Sequence, residues 1–123
     1  MPDFIMFVRA TERSERPFPP KEVLQSEMAD MAVFNKAMQT AGVFITAGGL
    51  LQSSKGARIT FSSSAEPAIT LGPFDVSSLV SGYWHIKTDT LEEAIEWAKK
   101  VPFKRDGEAV EIRQISTPKD LGF

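Results

Sequence analysis

His85 is the one histidine of the chain and its only side chain whose unperturbed pKa lies near neutrality, which makes it the natural candidate for proton transfer. It stands in "LVSGYWHIK" (79–87), the clearest strand signal present. Side chains two apart on a strand share a face, so Leu79, Ser81, Tyr83 and His85 fall together, with Val80, Gly82, Trp84 and Ile86 opposite. The same alternation in "AVEIRQI" separates Glu111 and Arg113 from Val110 and Ile112, and in "FIMFVRA" it places Phe7 beside Arg9. One sheet face therefore gathers Phe7, Leu79 and Tyr83 with Arg9, His85, Glu111 and Arg113.

Apolar walls with a few polar groups are what a small-molecule cavity needs. A dimer whose sheets pack face to face would hide the same apolar surface. Arg9 and Arg113 are suited to hold a carboxylate through paired hydrogen bonds. Arg113 fits equally well a pairing with Glu111 or a contact between subunits, and His85 fits equally well a hydrogen-bonded interface position.

Other chemistries find little support. The chain has no cysteine, which excludes disulfides, thiolate metal sites and a cysteine nucleophile, and one histidine cannot build a multi-histidine metal site. "TAGGLLQSSKG" lacks the spacing of a phosphate-binding loop that runs directly into a helix. The serines of "SSS" suit a turn, and "DTLEEA" lacks the alternating ligands and central glycine of a calcium loop. No cofactor and no metal are expected. A formal charge of -2, with no long basic block, argues against nucleic acid and anionic membrane as partners.

The elements that must position these residues follow in order. "FIMFVRA" (4–10) is apolar on both faces and reads as a buried strand. The prolines of "TERSERPFPP" end regular structure. Between Lys21 and Ala41, Leu24, Met28, Met31 and Met38 recur at helical spacing with Phe34 near the same stripe, and Gly42 is a stop signal. Core packing explains this stripe better than an adaptable methionine-rich binding surface does. "VFITAGGLL", "ARITFS" and "PAITL" read as strands joined by turns that together form a hairpin arm. A second helix is expected in "TDTLEEAIEWAKKV", where Thr90 and Glu93 have capping-box spacing and Leu91, Ala94, Ile95 and Ala98 make the apolar stripe. Lys99 and Lys100 suit its last turn, and Pro102 stops it. "AVEIRQI" is the final strand, and residues 116–123 form an irregular tail.

With 123 residues, 42% of them hydrophobic and 24% charged, the chain is expected to be one domain, 1–123, with its own core. The order of elements is α+β: a ferredoxin-like antiparallel sheet with two helices on one face and an added hairpin. The short apolar start, which carries Asp3 and Arg9, is unlike a signal peptide, and no run approaches the roughly 20 apolar residues needed to cross a bilayer. A cytoplasmic protein is the expectation.

The succession "GVFITAGGLLQSSKGARITFS", "LGPF", "SGYWHIKTDTLEEAIEWAKKVP" and "VEIRQI" resembles the YCII-related family, in particular its DGPF-domain branch, from the first strand to about Ile115. The resemblance implies a dimeric α+β barrel, in which two ferredoxin-like sheets pack through their open faces and form cavities. It also implies kinship with muconolactone isomerases and cofactor-free monooxygenases, and with small lyases that use a histidine and an aspartate. The family's aspartate-glycine-proline-phenylalanine motif falls on Leu71, Gly72, Pro73 and Phe74, so its acid is missing, and Asp75 is the nearest substitute.

Three functions follow as expectations. The first is a cofactor-free lyase or isomerase acting on a small organic acid, with His85 as acid or base and Arg9, Phe74, Tyr83 and Arg113 binding the substrate. The second is a homodimer that binds such a ligand without transforming it. The third is a structural dimer whose barrel is filled by side chains.

Overall fold

β5 (Val80–Lys87) lies in the interior of the sheet, and its inward residues, Gly82, Trp84 and Ile86, are all buried. The computed structural model describes Met1–Phe123 throughout. β1 (Asp3–Arg9) pairs antiparallel with β5 on one side and with β6 (Val110–Gln114) on the other, while β2 (Phe44–Gly49) closes the far edge against β5. The resulting order, β2-β5-β1-β6, is the split βαβ arrangement expected of a ferredoxin-like fold.

α1 (Lys21–Thr40) and α2 (Leu91–Ala98) cover one face of this sheet. Phe4 and Met6 of β1 and Trp84 and Ile86 of β5 meet Phe34 and Met38 of α1 and Ala94 of α2 in a single buried cluster. Each large side chain so removed from water contributes about 1.5–3 kcal/mol. The Trp84 indole sits edge-on to Phe34, with ring centroids 5.4 Å apart at 84°, and its N–H donates to Asn35 Oδ1 at 2.8 Å. This polar handle orients a ring that packing alone would leave free to turn.

The end of α1 follows from Gly42, whose φ of 76° is the left-handed conformation that glycine adopts without strain. Gly42 N–H donates to Gln39 O and Val43 N–H to Met38 O, the paired bonds of a Schellman stop, with Met38 and Val43 both buried beside it. At the other end of the helix the expected core stripe fails: Met28 is 62% exposed. The first half of α1 stands away from the sheet, over an empty space described below.

α2 begins where expected, with Thr90 Oγ1 accepting from Glu93 N–H and the Glu93 carboxylate accepting from Asp89 N–H. It is shorter than the sequence suggests and ends at Ala98, because Val101 precedes Pro102 and is steered out of helical geometry. Its stripe also needs correction. Ala94 is fully buried, but Leu91 and Ile95 are exposed at 45% and 38%, since the helix meets the sheet through its small residue. Lys100 lies over the Trp97 ring, 4.6 Å from its centroid.

β3 (Ala57–Thr60) and β4 (Ala68–Leu71) form a separate two-stranded arm, with every residue of both strands exposed. Residues 116–123 contain neither strand nor helix; they turn back on themselves through Thr117 N–H to Asp120 Oδ2 at 2.8 Å. No helix is long and apolar enough to cross a membrane.

Candidate functional site

The sheet face away from the helices carries the residues that alternation places there. Register sets Ile5 between His85 and Arg113, and Phe7 between Tyr83 and Glu111. On this face His85 Nε2 lies 2.7 Å from Asp3 Oδ2, and Lys87 Nζ lies 3.4 Å from Asp3 Oδ1. Asp3 is directly opposite Lys87 and diagonal to His85 across the β1–β5 pair, within reach of long side chains. The hydrogen bond from His85 first, and the Lys87 charge after it, outweigh partial burial and hold the Asp3 carboxyl below the ordinary aspartate range. A carboxylate accepting from Nε2 fixes the tautomer with its proton there and leaves Nδ1 as the basic nitrogen.

The arginines expected to share this site are occupied elsewhere. Arg9 donates to Ser77 O at 2.8 Å and stands 3.9 Å from Glu111, which is 3.7 Å from Arg113. Arg113 is 72% exposed. The two arginines therefore flank Glu111 rather than converge with His85.

A cavity of about 550 Å³ lies on the other side of the sheet from the one expected. It opens between the first half of α1 and the sheet, bounded by Met28, Met31 and Asn35 of the helix and by Val8, Gly82 and Trp84 of the inner sheet face. Gly49 and Gly82, register partners on the side that carries Ala47 and Trp84, supply no side chains to fill the gap. Arg9 and Tyr83 also border this space, whereas His85, Phe74 and Arg113 do not.

Three charged side chains at the cavity's border were not suggested by any motif. Arg13 grips Glu27 with both terminal nitrogens, at 2.6 and 3.3 Å, and Arg105 adds a bond of 3.1 Å to the same carboxylate. A turn held by Thr11 N–H to Ser14 Oγ, 2.9 Å, positions Arg13, and Glu108 accepting from Arg105 N–H at 2.7 Å positions Arg105. Burial pushes the Glu27 pKa up, but the hydrogen bonds and charges of Arg13, then Arg105, prevail and hold it below the ordinary glutamate range.

The "LGPF" segment turns out to be a structural joint. Phe74 N–H donates to Ser53 Oγ at 2.9 Å, and Ser53 gives both its N–H and its hydroxyl to the Glu15 carboxylate. Phe74 is a platform for Arg58, whose guanidinium carbon is 4.1 Å from the ring centroid, a cation–π contact. Leu71 is 74% exposed on β4, so an acid at this position would face solvent and not the cavity within one chain. Asp75 accepts from the Ser77 hydroxyl at 2.5 Å and does not border the cavity either.

Tyr83 and His85 stand opposite Phe7 and Ile5 as alternation along the strands placed them, while Asp3, Arg13, Glu27 and Arg105 were not singled out from the sequence. No curated protein matches the chain. A family model described as the YCII-related domain matches residues 3–117.

Proposed function

The chain belongs to the YCII-related domain family, and from that premise we propose that it binds a small organic acid in the cavity between α1 and the sheet. The observation that carries this reading is the cavity itself. Its volume of about 550 Å³ falls within the roughly 300–1,000 Å³ typical of ligand sites. Trp84, Phe103 and two methionines supply apolar wall, and arginines stand at its border. We further assign the chain to the DGPF branch on Gly72, Pro73 and Phe74.

A homodimer through the open sheet faces belongs to the same proposal. Ile5 and Phe7 lie on the inner strand β1 on the side that neither helix covers, and a second copy is the occupant that would bury them.

Thermal unfolding in the presence of organic acids and their neutral amides tests the ligand site. A ligand of the folded state raises the midpoint by mass action, and Met31→Trp, which fills the cavity, abolishes the rise. If no acid shifts the midpoint, or if the filled variant responds as well as the wild type, the cavity is not the site.

A second reading, a cofactor-free lyase or isomerase, is favoured by the 2.7 Å contact between His85 and Asp3. With Nε2 held by the carboxylate, Nδ1 is suited to take a proton from carbon or hydroxyl, and Asp3 would stabilise the imidazolium that results. This chemistry belongs to the open face, where a second copy would close a chamber over His85. Unchanged turnover of an identified substrate by His85→Ala would remove this reading and leave the binding site standing.

A further inference from the structure

One carboxylate, that of Glu27, answers two guanidinium groups that reach it from separate loops. We propose that Arg13 and Arg105 form the carboxylate seat of the cavity, that Glu27 fills this seat while no ligand is bound, and that the ligand is an acid with a flat aromatic or conjugated body. The inference rests on the reading of the cavity as a ligand site and adds the class and orientation of the ligand.

The geometry is that of carboxylate recognition. Arg13 uses a two-pronged grip on Glu27, the arrangement by which arginine selects planar anions, and Arg105 reinforces one of the same oxygens. Both guanidinium groups meet at this one carboxylate, while Glu108, which also borders the cavity, accepts from the backbone N–H groups of Lys104 and Arg105. The arginine side chains are 37% and 49% exposed, which leaves them accessible to a ligand from solvent.

The location is that of an entrance. Glu27 and Arg105 border both the inner cavity and a second groove of about 540 Å³ on the outside. Their bridge therefore stands in the wall between the two spaces. An incoming carboxylate can replace that of Glu27 on the arginines, and Glu27, on an exposed helical turn, can swing to water.

Inside, Trp84 and Phe103 have ring centroids 6.4 Å apart and tilted by 51°, and Met28 and Met31 face the same space. Aromatic edges and thioethers are polarisable and adaptable, which suits a flat ring better than a branched aliphatic chain.

The test uses 2-naphthoate and its neutral amide as probes, with binding measured by calorimetry on the whole protein. Glu27→Gln keeps the shape of the side chain and removes its competing charge, so it is expected to bind the naphthoate about tenfold more tightly than the wild type, a gain of about 1.4 kcal/mol, and the amide no more tightly. Arg105→Gln is expected to weaken the naphthoate and spare the amide. If Glu27→Gln leaves naphthoate affinity unchanged or lowers it while both probes still bind, the seat is wrong and the cavity reading survives. If neither probe binds either protein, both fall. Thermal melts of the two variants establish that they are folded.

Discussion

The ring of Tyr83 lies across the bare Cα of Gly48 on the neighbouring strand, so that a Cβ at position 48 would come within 3.0 Å of Tyr83 Cε1. The two residues are register partners, and the aromatic ring covers a glycine that would otherwise leave an edge strand unprotected. Gly48→Ala meets only the outer part of this side chain, which can rotate, and alanine restricts the unfolded backbone more than glycine does. A stability change within about 1 kcal/mol is expected, with the tyrosine displaced. Urea unfolding followed by tyrosine and tryptophan fluorescence measures both; a loss of several kcal/mol would show that the ring is locked in place.

Gly72 is the opposite case. A Cβ there would stand 1.8 Å from the carbonyl oxygen of Ser53, and backbone cannot yield as a ring can. Gly72→Ala is expected to cost about 2–4 kcal/mol or to detach the loop from Ser53. Denaturant midpoints, with amide exchange at Phe74 as a local probe, distinguish these outcomes from the neutral result that would contradict the contact.

Stability should depend on Asp3 on the acid side. Because its folded-state pKa is lowered, its contribution is fully present above the ordinary aspartate value of about 3.9 and is lost as pH falls through the lowered value. Asp3→Asn is expected to cost about 1 kcal/mol or less at neutral pH, as for other partly exposed pairs. The variant should also lose less stability than the wild type between about pH 4 and pH 2. Urea titrations across that range check the slope; parallel curves would mean that Asp3 is not linked to folding. Glu27, lowered by its two arginines, acts with the same sign, so Asp3→Asn with Glu27→Gln should flatten the profile further.

The dimer is tested on β1. Phe7 faces away from the helices, between Tyr83 and Glu111, and Phe7→Glu would place a charge at the centre of the proposed contact without entering the core. Light scattering at micromolar concentration is expected to give a dimer for the wild type and a monomer for the variant. A monomeric wild type would end the proposal.

What could be read in the sequence was whatever repeats with a local period. The alternation of Gly82, Trp84 and Ile86 against Tyr83 and His85 marked both faces of β5, and the spacing of Phe34 and Met38 marked the buried side of α1. The Asp3–His85 contact escaped because it depends on the register of strands far apart in the chain. Arg13, Glu27 and Arg105 escaped for a related reason: one comes from a loop, one from a helix and one from another loop, and no spacing along the chain brings them together. The position of the cavity was missed because glycines at 49 and 82 signal turns or weak strands, and only their pairing in the sheet turns them into an empty volume. Met28 looked like core by its period and became cavity wall for the same reason.

The β3–β4 arm sets a limit on how the protein behaves when concentrated. Pairing puts Ala57, Ile59, Ile69 and Leu71 on one side of a ribbon whose two outer edges have no strand beside them, and Ile69 and Leu71 are 70% and 74% exposed. Greasy, unpaired edges invite strand addition between molecules, the first step of aggregation. Two features restrain it: each strand is only four residues long, and Pro67, immediately before β4, has no backbone N–H with which to extend the ladder. The arm is thus a place where strands of two molecules could add to one another, and the proline at its shoulder guards against the wrong kind of sheet growing there.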